Sequence, residues 1–244
     1  MSGSCFAERL GDLIDLTPAE QAALSKLEER ERPVRRGATI QRENDRAGEL
    51  FIIRKGMMMT SMMLDDGSRQ ILRFLFPGDM VALSSLVYRD STETLSALSD
   101  CVVCPFERQA LTSVIAKHPR LAALLLVYSQ IERVALTDRL AALGRTSAKA
   151  RVAAVLIELR NRLRVMDKSV EDRFALGLTQ EEIGDATGLT AVHVNRMLRQ
   201  LEESGLIARE NGFVSFTDER ALLRAANHVD RYAGIDLSWL PAAN

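Results

Sequence analysis

The stretch that decides the fold runs from Leu178 to Ile207 and reads LTQEEIGDATGLTAVHVNRMLRQLEESGLI. Thr179 and Glu182 have the spacing of a capping box, in which two side chains accept hydrogen bonds from otherwise unpaired backbone N–H groups. Gly188 ends this first helix, because glycine adopts the left-handed conformation of a helix end at little steric cost. Thr190 then caps a second helix. The short turn between the two helices is typical of a helix-turn-helix.

The second helix, predicted over Thr190–Glu203, has one apolar and one polar face. Its apolar residues recur at intervals of three and four, as Val194, Met197, Leu198 and Leu201. No acidic residue lies between Thr190 and Leu201, so the outer face suits a polyanion such as double-stranded DNA. An ordinary helix pair with a solvated face is disfavoured, because capping, turn and face polarity agree over one stretch. The candidate DNA-binding residues are Thr179, Gln180, Thr190, Val192, His193, Asn195, Arg196 and Arg199.

A β-hairpin is predicted directly after the second helix. Asn211-Gly212, a preferred two-residue hairpin turn, separates the apolar segments 206–209 and 213–216. A hairpin in this position indicates the wing of a winged helix domain.

Composition describes an ordinary globular protein of about two domains, with 47% hydrophobic residues and a net charge of −1 over 244 residues. The charge gives no general argument for nucleic acid, but a local basic patch is sufficient. No apolar run approaches the ~20 residues of a membrane span, and the N-terminus lacks the regions of a signal peptide. We therefore expect a cytoplasmic protein with no membrane partner. A phosphate loop, a nucleophile–base set and a metal-spaced histidine pair are all missing from the sequence, so an enzyme is not expected.

The first half of the chain predicts an all-β domain after two short helices. From about Val34 the apolar pattern changes from a helical to a strand-like period. The turn Asp65-Asp66-Gly67 separates strands predicted over 57–64 and 70–76, and Pro77-Gly78 ends the second strand. Short strands continue to about Phe106, which indicates a barrel or a double-sheet roll.

A long helix is predicted from Arg120 to about Leu143. It has two apolar stripes, and one of them steps by three and four as a heptad seam. A helix that is apolar on two faces needs two partners, and the simplest second partner is the same helix of a twin subunit. Burial within one subunit is the alternative. The candidate dimerisation residues are Leu124, Val127, Ile131, Val134 and Asp138.

This order of elements resembles the cAMP receptor protein/fumarate–nitrate reductase regulator (Crp/Fnr) superfamily over about residues 20 to 217. The resemblance is carried by the segment from Phe51 to Gly56, by Asp66-Gly67, by Gln70-Ile71-Leu72, by Pro77-Gly78-Asp79 and by the helix-turn-helix. It implies a homodimeric transcription factor in which an N-terminal sensor domain controls two DNA-binding domains. RNA polymerase is an implied partner if the protein is an activator.

The implied fold is α+β. It comprises a double-stranded β-helix (jelly-roll) sensor domain like those that bind cyclic nucleotides, a long dimerisation helix and a winged helix-turn-helix. The corresponding ranges are 1–116 for the sensor domain with its N-terminal helices, 117–144 for the dimerisation helix and hinge, 145–217 for the DNA-binding domain, and 218–244 for a C-terminal helix and tail.

The resemblance does not extend to the residues that bind cAMP. Cyclic-nucleotide-binding relatives hold the ribose with a glutamate and the phosphate with an arginine, and these positions are Leu83 and Ser91 here. An arginine–phosphate pair is charge-assisted and often bidentate, and a serine does not replace it. Glu93 nearby would also repel a phosphate. We therefore do not expect cAMP as the ligand, and the sensed signal is unassigned.

Three cysteines, Cys5, Cys101 and Cys104, are one too few for the four-cysteine iron–sulfur site of the fumarate–nitrate branch. Residues three apart on a strand point to opposite faces, so Cys101 and Cys104 are not expected to share a metal. Buried small hydrophobes are the favoured interpretation. Redox sensing by Cys5 with another cysteine is a hypothesis, and haem stays open as a cofactor although His118 and His228 favour structural roles.

Base-facing roles carried over by the resemblance fall on Val192, Asn195 and Arg196. Both named branches usually have a glutamate where this chain has Val192, so the operator is expected to differ at that base pair. A dimer would place two recognition helices ~34 Å apart, on an inverted repeat. Arg199, with Arg145 and Lys149, would contact phosphates. The alternatives are a cyclic-nucleotide-responsive regulator, a redox- or haem-sensing regulator, and a constitutive DNA binder.

Overall fold

The computed structural model describes residues 3–243. Met1, Ser2 and Asn244, at the outer ends of the expected domain ranges, lie outside the described residues. The chain divides into a first unit of residues up to Met62, 73–134 and from Ile235 onward, and a second unit of 63–72 and 135–234.

The first unit is a β-roll with short helices on one side. Its helices are α1 (Cys5–Gly11), α2 (Pro18–Ser25), α3 (Arg108–Lys117) and most of α4 (Pro119–Arg145). Its strands are β1 (Arg32–Val34), β2 (Thr39–Gln41), β3 (Leu50–Lys55), β4 (Met58–Met63), β5 (Arg69–Leu75), β6 (Met80–Val81), β7 (Thr94–Ala97) and β8 (Cys101–Phe106). Of these strands, Met63 and residues 69–72 are grouped with the second unit. One sheet has the order β1-β8-β3-β6 and the other has the order β2-β7-β4-β5. The predicted double-sheet roll is therefore present.

Alternating side chains of the strands divide between buried clusters on the two faces of the first sheet. Ile53 and Cys101 belong to a cluster that also contains Met58. Ile52 and Cys104 belong to another, which joins the strands to Phe6 and Tyr128. The two cysteines thus lie on opposite faces of β8, as the strand period predicts.

The N-terminal helix is anchored to the β-roll by a buried carboxylate. Glu28 accepts hydrogen bonds from the backbone N–H groups of Cys5 (3.1 Å) and Phe6 (3.0 Å) and from the Ser4 hydroxyl (2.5 Å). The backbone approaches so closely that a Cβ on Gly78 would lie 2.8 Å from the Cys5 carbonyl oxygen. This segment is therefore part of the first unit's core.

Two features of the helical part differ from the sequence prediction. α3 was not predicted, and its N-cap Glu107 makes no capping hydrogen bond that would mark its start. α4 continues through Gly144 to Arg145, two residues past the predicted helix end at about Leu143. Elsewhere the helix bounds agree to within a few residues, as expected for fraying ends.

The second unit contains the predicted DNA-binding elements. They are α5 (Ala148–Met166), β9 (Arg173–Ala175), α6 (Gln180–Thr187), α7 (Ala191–Glu203), β10 (Ile207–Glu210), β11 (Phe213–Phe216) and α8 (Glu219–Ala225). The strands form a sheet in the order β10-β11-β9, and β9 was not predicted. A two-sheet β-roll, a long helix and a helix-turn-helix with a small sheet make up the expected α+β fold.

The tip of the β4–β5 hairpin belongs to the second unit, where it contacts α6. Arg69 donates to the Asp185 carboxylate from two nitrogens, at 2.7 and 2.6 Å, and Gln70 donates to the Asp185 carbonyl oxygen at 2.8 Å. Three hydrogen bonds from adjacent residues to one residue hold the hairpin tip on this helix.

The C-terminal segment, which the sequence left unassigned, returns to the first unit. A short 3₁₀ turn at Tyr232–Gly234 follows α8, and residues from Ile235 onward are grouped with the β-roll. Leu240 packs against the buried cluster around Phe6 and Leu24. Within residues 3–243, no single helix is both long and apolar enough to cross a membrane, and α3 and α4 pass that test only together, across a 120° bend.

Candidate nucleic-acid interface

The first helix of the pair begins as its local chemistry predicts. The Thr179 hydroxyl accepts from the Glu182 N–H at 3.1 Å, and the Glu182 carboxylate accepts from the Thr179 N–H at 2.6 Å. Gly188 ends the helix with φ at 67°, in the left-handed region. The Thr190 hydroxyl then accepts from the His193 N–H at 3.3 Å and starts α7. The capping hydroxyls of Thr179 and Thr190 are thus used within the fold.

A second glycine, Gly184, sets how closely the two helices approach, and sequence reasoning missed it. A Cβ at this position would lie 2.4 Å from the carbonyl oxygen of Leu189, closer than the 3.0 Å limit seen for real Cβ contacts. The only signal in the sequence is a glycine in the middle of a helix, where it costs about 1 kcal/mol relative to alanine. Such a cost is tolerated where a backbone passes close by.

α7 buries one face and exposes the other. Its buried side chains are Val194, Met197, Leu198 and Leu201. On the opposite face Val192 is 81% exposed, an unusual position for a valine, and Arg196 and Arg199 are also exposed. His193 and Asn195 are half-buried beside them. The candidate residues of α7 therefore share one accessible surface, which carries positive charge and one apolar side chain.

Two of these residues contact each other. A terminal guanidinium nitrogen of Arg196 lies 2.9 Å from Nε2 of His193, one helical turn earlier. Residues three apart on a helix are neighbours on its surface, so the contact is allowed by the helix geometry itself.

The predicted hairpin is present after α7. Asn211 and Gly212 have φ values of 51° and 81°, which is the left-handed pair that a two-residue turn of this type requires. In the same small sheet, the guanidinium group of Arg173 stacks on the Phe213 ring, with 4.7 Å between the guanidinium carbon and the ring centre.

Glu202, near the end of α7, has a pKa below its usual range because of the side-chain hydrogen bond and the charge of Arg209. Glu202 is therefore an anion paired within the fold.

Of the two further candidate phosphate contacts, Arg145 is exposed at the end of α4. Lys149 lies at the start of α5 and donates to the Ser204 hydroxyl at 2.7 Å, at the end of α7. Lys149 thus adds positive charge next to the recognition helix.

Comparisons with known proteins match both parts of this arrangement. The family described as "Cyclic nucleotide-binding domain" matches residues 31–118, and the family described as "Crp-like helix-turn-helix domain" matches residues 150–225. The Transcriptional activator protein anr of Pseudomonas aeruginosa is 29% identical over 216 residues, which cover 87% of each chain. The Fumarate and nitrate reduction regulatory protein of Escherichia coli is 25% identical over 229 residues, 94% of this chain and 91% of that one.

A solved structure supports the same assignment. FixK2 from Bradyrhizobium japonicum superposes with a TM-score of 0.74 and 26% identity, covering 82% of this chain and 98% of that chain. The protein is a transcription regulator of the Crp/Fnr family. Its relatives are regulators and not enzymes, as expected from the sequence.

The β-roll of the regulator gives Ser91 a structural role. Its buried hydroxyl contacts the Gln41 amide at 2.5 Å and donates to the Glu93 carbonyl oxygen at 2.7 Å. Leu83 starts a short 3₁₀ turn and packs against the core around Phe6. Leu83 and Ser91, at which the sequence resemblance leads us to expect no cAMP contacts, are therefore both engaged in contacts within the β-roll.

The cysteines of the regulator are free thiols. Burial, and then the nearby Glu28 carboxylate, raise the pKa of Cys104 to about 11. Burial also raises the pKa of Cys5 and of Cys101, whose thiol donates to the Met57 carbonyl oxygen. Among residues 3–243, no group of three His, Cys, Asp or Glu is placed to hold a metal ion.

The predicted dimerisation residues occupy different environments along α4. Leu124 and Val127 are buried by the regulator's own chain, whereas Ile131 and Val134 are partly exposed. Asp138 accepts two hydrogen bonds from Arg231, at 2.9 and 2.7 Å, which lower the pKa of its carboxyl group. A separate set of exposed apolar side chains on α4 comprises Leu126, Leu136 and Leu140.

Proposed function

We propose that the regulator binds an inverted-repeat operator as a homodimer, with α7 of each subunit in a major groove. The observation that supports this most directly is the outer face of α7. It is free of acidic residues from Thr190 to Leu201, exposes Arg196 and Arg199, and lies opposite a fully buried apolar face. A helix that is held rigidly by its core and presents arginines outward suits both phosphate contact and base reading.

Three residues are proposed to read bases. Arg196 suits a guanine, to which an arginine donates two parallel hydrogen bonds worth about 1–3 kcal/mol of discrimination. Asn195 suits an adenine by the same geometry. Val192 has no hydrogen-bonding group and is 81% exposed, so we propose that it packs on a thymine methyl group.

Arg199, Arg145 and Lys149 are proposed to contact phosphates. Their contribution depends on salt concentration and not on sequence, because it comes from the release of condensed counterions. The hydroxyls of Thr179 and Thr190 accept hydrogen bonds in the caps, so their proposed DNA contacts would come from the O–H groups, which can donate to phosphate oxygens. The neighbouring Gln180 has an exposed side chain.

Dimerisation is proposed to use α4, since proteins of this family are commonly dimeric. Two faces of the helix are candidates. One is the predicted seam, in which Leu124 and Val127 are buried by the chain's own core and Ile131 and Val134 are the remaining apolar residues. The other carries the exposed Leu126 and Leu140, fourteen residues apart and so separated by two heptads, with Leu136 between them.

Sedimentation of charge variants would distinguish the two faces. An aspartate at a buried helix–helix contact costs several kcal/mol, whereas on a solvated face it costs little. If Leu140→Asp yields monomers and Val134→Asp leaves dimers, the exposed leucines form the contact. The reverse result would assign the contact to the seam.

Selection of operators from a random duplex pool would test the whole proposal. We expect an inverted repeat with half-sites about one DNA turn apart, each containing a guanine that Arg196→Ala no longer selects. Recovery of no enriched sequence, or of single half-sites only, would contradict the homodimer proposal.

The signal is proposed to act through the β-roll and not to be cAMP, because Leu83 and Ser91 replace the ligand-holding residues. A constitutive binder is the second candidate, favoured by the packing of both residues within the fold. Mobility shifts of purified protein with cAMP, with cell extract and with neither would separate the cases. Equal affinity in all three would favour constitutive binding, and a response to cAMP would overturn this part of the proposal.

A further inference from the structure

The contact between His193 and Arg196 identifies the ring nitrogen of the histidine that faces the guanidinium. A guanidinium group has five N–H donors and no acceptor, so at 2.9 Å the ring nitrogen Nε2 of His193 must accept. A neutral imidazole has one acceptor nitrogen and one N–H. In the tautomer that makes this hydrogen bond, the proton lies on Nδ1 and Nε2 is the acceptor.

The same contact limits the freedom of Arg196. An arginine side chain loses close to the largest rotamer entropy of any residue when it becomes ordered. No carboxylate on this face of α7 can hold it, because the helix has none between Thr190 and Leu201. The imidazole uses one of the five guanidinium N–H groups and leaves four, which is enough for a bidentate contact with a base.

We propose that His193 is a specificity-determining positioning residue. Its Nε2 holds the Arg196 guanidinium in the orientation that reads a guanine, an inference that rests on the proposed function of α7. A carboxylate in place of His193 would hold the arginine as well, but it would repel the DNA phosphates. A neutral ring orients the cation without reducing the positive charge of the surface. The Nδ1–H group stays available as a donor to a phosphate.

Arg199 provides a matched comparison on the same helix. The residue three positions before it is Arg196, so it has no imidazole at the equivalent spacing. Its charge instead acts on Glu202, whose pKa it helps to lower. Changes at His193 should therefore affect base reading by Arg196 and leave the salt-dependent contribution of Arg199 intact.

The test uses the full-length protein and an operator selected as described above. Affinity is measured by fluorescence anisotropy for the operator and for duplexes in which the guanine selected through Arg196 is replaced by each other base. The variants are His193→Gln, His193→Phe, Arg196→Ala, the double variant His193→Phe/Arg196→Ala, and Arg199→Ala as the control.

His193→Phe should lower discrimination at this one base pair about 5- to 10-fold, because the arginine must then be ordered during binding. His193→Gln should keep discrimination within about 2-fold of wild type, since a glutamine carbonyl oxygen also accepts from a guanidinium. In the Arg196→Ala background His193→Phe should change discrimination no further, as a double-mutant cycle of two coupled residues requires. Arg199→Ala should weaken binding equally at all bases.

Two results would overturn the proposal. In the first, His193→Phe lowers affinity equally for all bases, and the slope of log affinity against log salt concentration falls by about one counterion. This result would make His193 a phosphate contact only. The other is unchanged discrimination in His193→Phe. Retained binding of an unrelated duplex at low salt shows that each variant is folded. Failure of the wild type to select any operator would reject the proposed function itself, a result distinct from both.

Discussion

Gly184→Ala is predicted to destabilise the second unit, although alanine is the better helix former. The substitution gains about 1 kcal/mol of helix propensity. It also places a methyl group 2.4 Å from the Leu189 carbonyl oxygen, where real contacts begin at 3.0 Å. The backbone of the turn must move by about half an ångström, and such overpacking typically costs about 1–3 kcal/mol or more. The expected net loss is therefore up to about 2 kcal/mol.

Gly144→Ala is the matched control for this prediction. Gly144 also lies in a helix, but a Cβ there would meet no atom within 4 Å. Alanine should therefore stabilise the protein by up to about 1 kcal/mol. Calorimetry of the full-length variants should show a transition lowered by up to about 10 °C for Gly184→Ala and unchanged or raised for Gly144→Ala. A Gly184→Ala protein that melts as high as Gly144→Ala would refute the close-approach argument.

Three further predictions concern other parts of the molecule. In a repeated operator selection, Val192→Glu should change the base selected at this position from thymine to cytosine, because a carboxylate accepts a hydrogen bond from cytosine. An unchanged half-site would contradict the proposal that residue 192 faces the groove. Cys101 and Cys104 should resist a thiol reagent at pH 8 and should react once the protein is unfolded in guanidinium. At Cys104 the reason is a pKa raised to about 11, which keeps the thiol protonated and unreactive. Rapid modification of the native protein would contradict this prediction. Leu240→Ala should lower the free energy of unfolding of the first unit by about 1 kcal/mol, because Leu240 packs on its buried cluster. Trp239→Ala is the control and should have almost no effect, since Trp239 is 56% exposed. Equal effects of the two substitutions would show that the packing of Leu240 is not specific.

Local chemistry explains why the helix-turn-helix could be predicted in detail. The cap at Thr179, the stop at Gly188 and the cap at Thr190 depend on side chains and backbone groups within four residues of one another. Such features are encoded by short patterns and are found in the structure as predicted. The hairpin turn at Asn211-Gly212 is encoded in the same way.

Features that depend on distant partners could not be predicted. Asp138 is predicted to belong to a dimer seam, but no pattern in the sequence indicates that its carboxylate pairs with Arg231, 93 residues away. A heptad pattern shows which residues share a helix face, but not which face the chain's own core covers, as Leu124 illustrates. The role of Gly184 depends on the position of the Leu189 carbonyl oxygen, and no pattern in the sequence expresses that distance.

The packing of Leu240 has a consequence for the order in which the protein is made. The chain leaves the first unit after Val134 and returns to it only at Ile235, after all of the second unit that follows α4 has been synthesised. A ribosome adds residues at about 5–20 per second, so Leu240 is synthesised at least several seconds after the cluster around Phe6 and Leu24 that it packs against. Until then the buried cluster around Phe6 and Leu24 lacks one of its packing partners. The last residues of the chain complete the domain that was begun first.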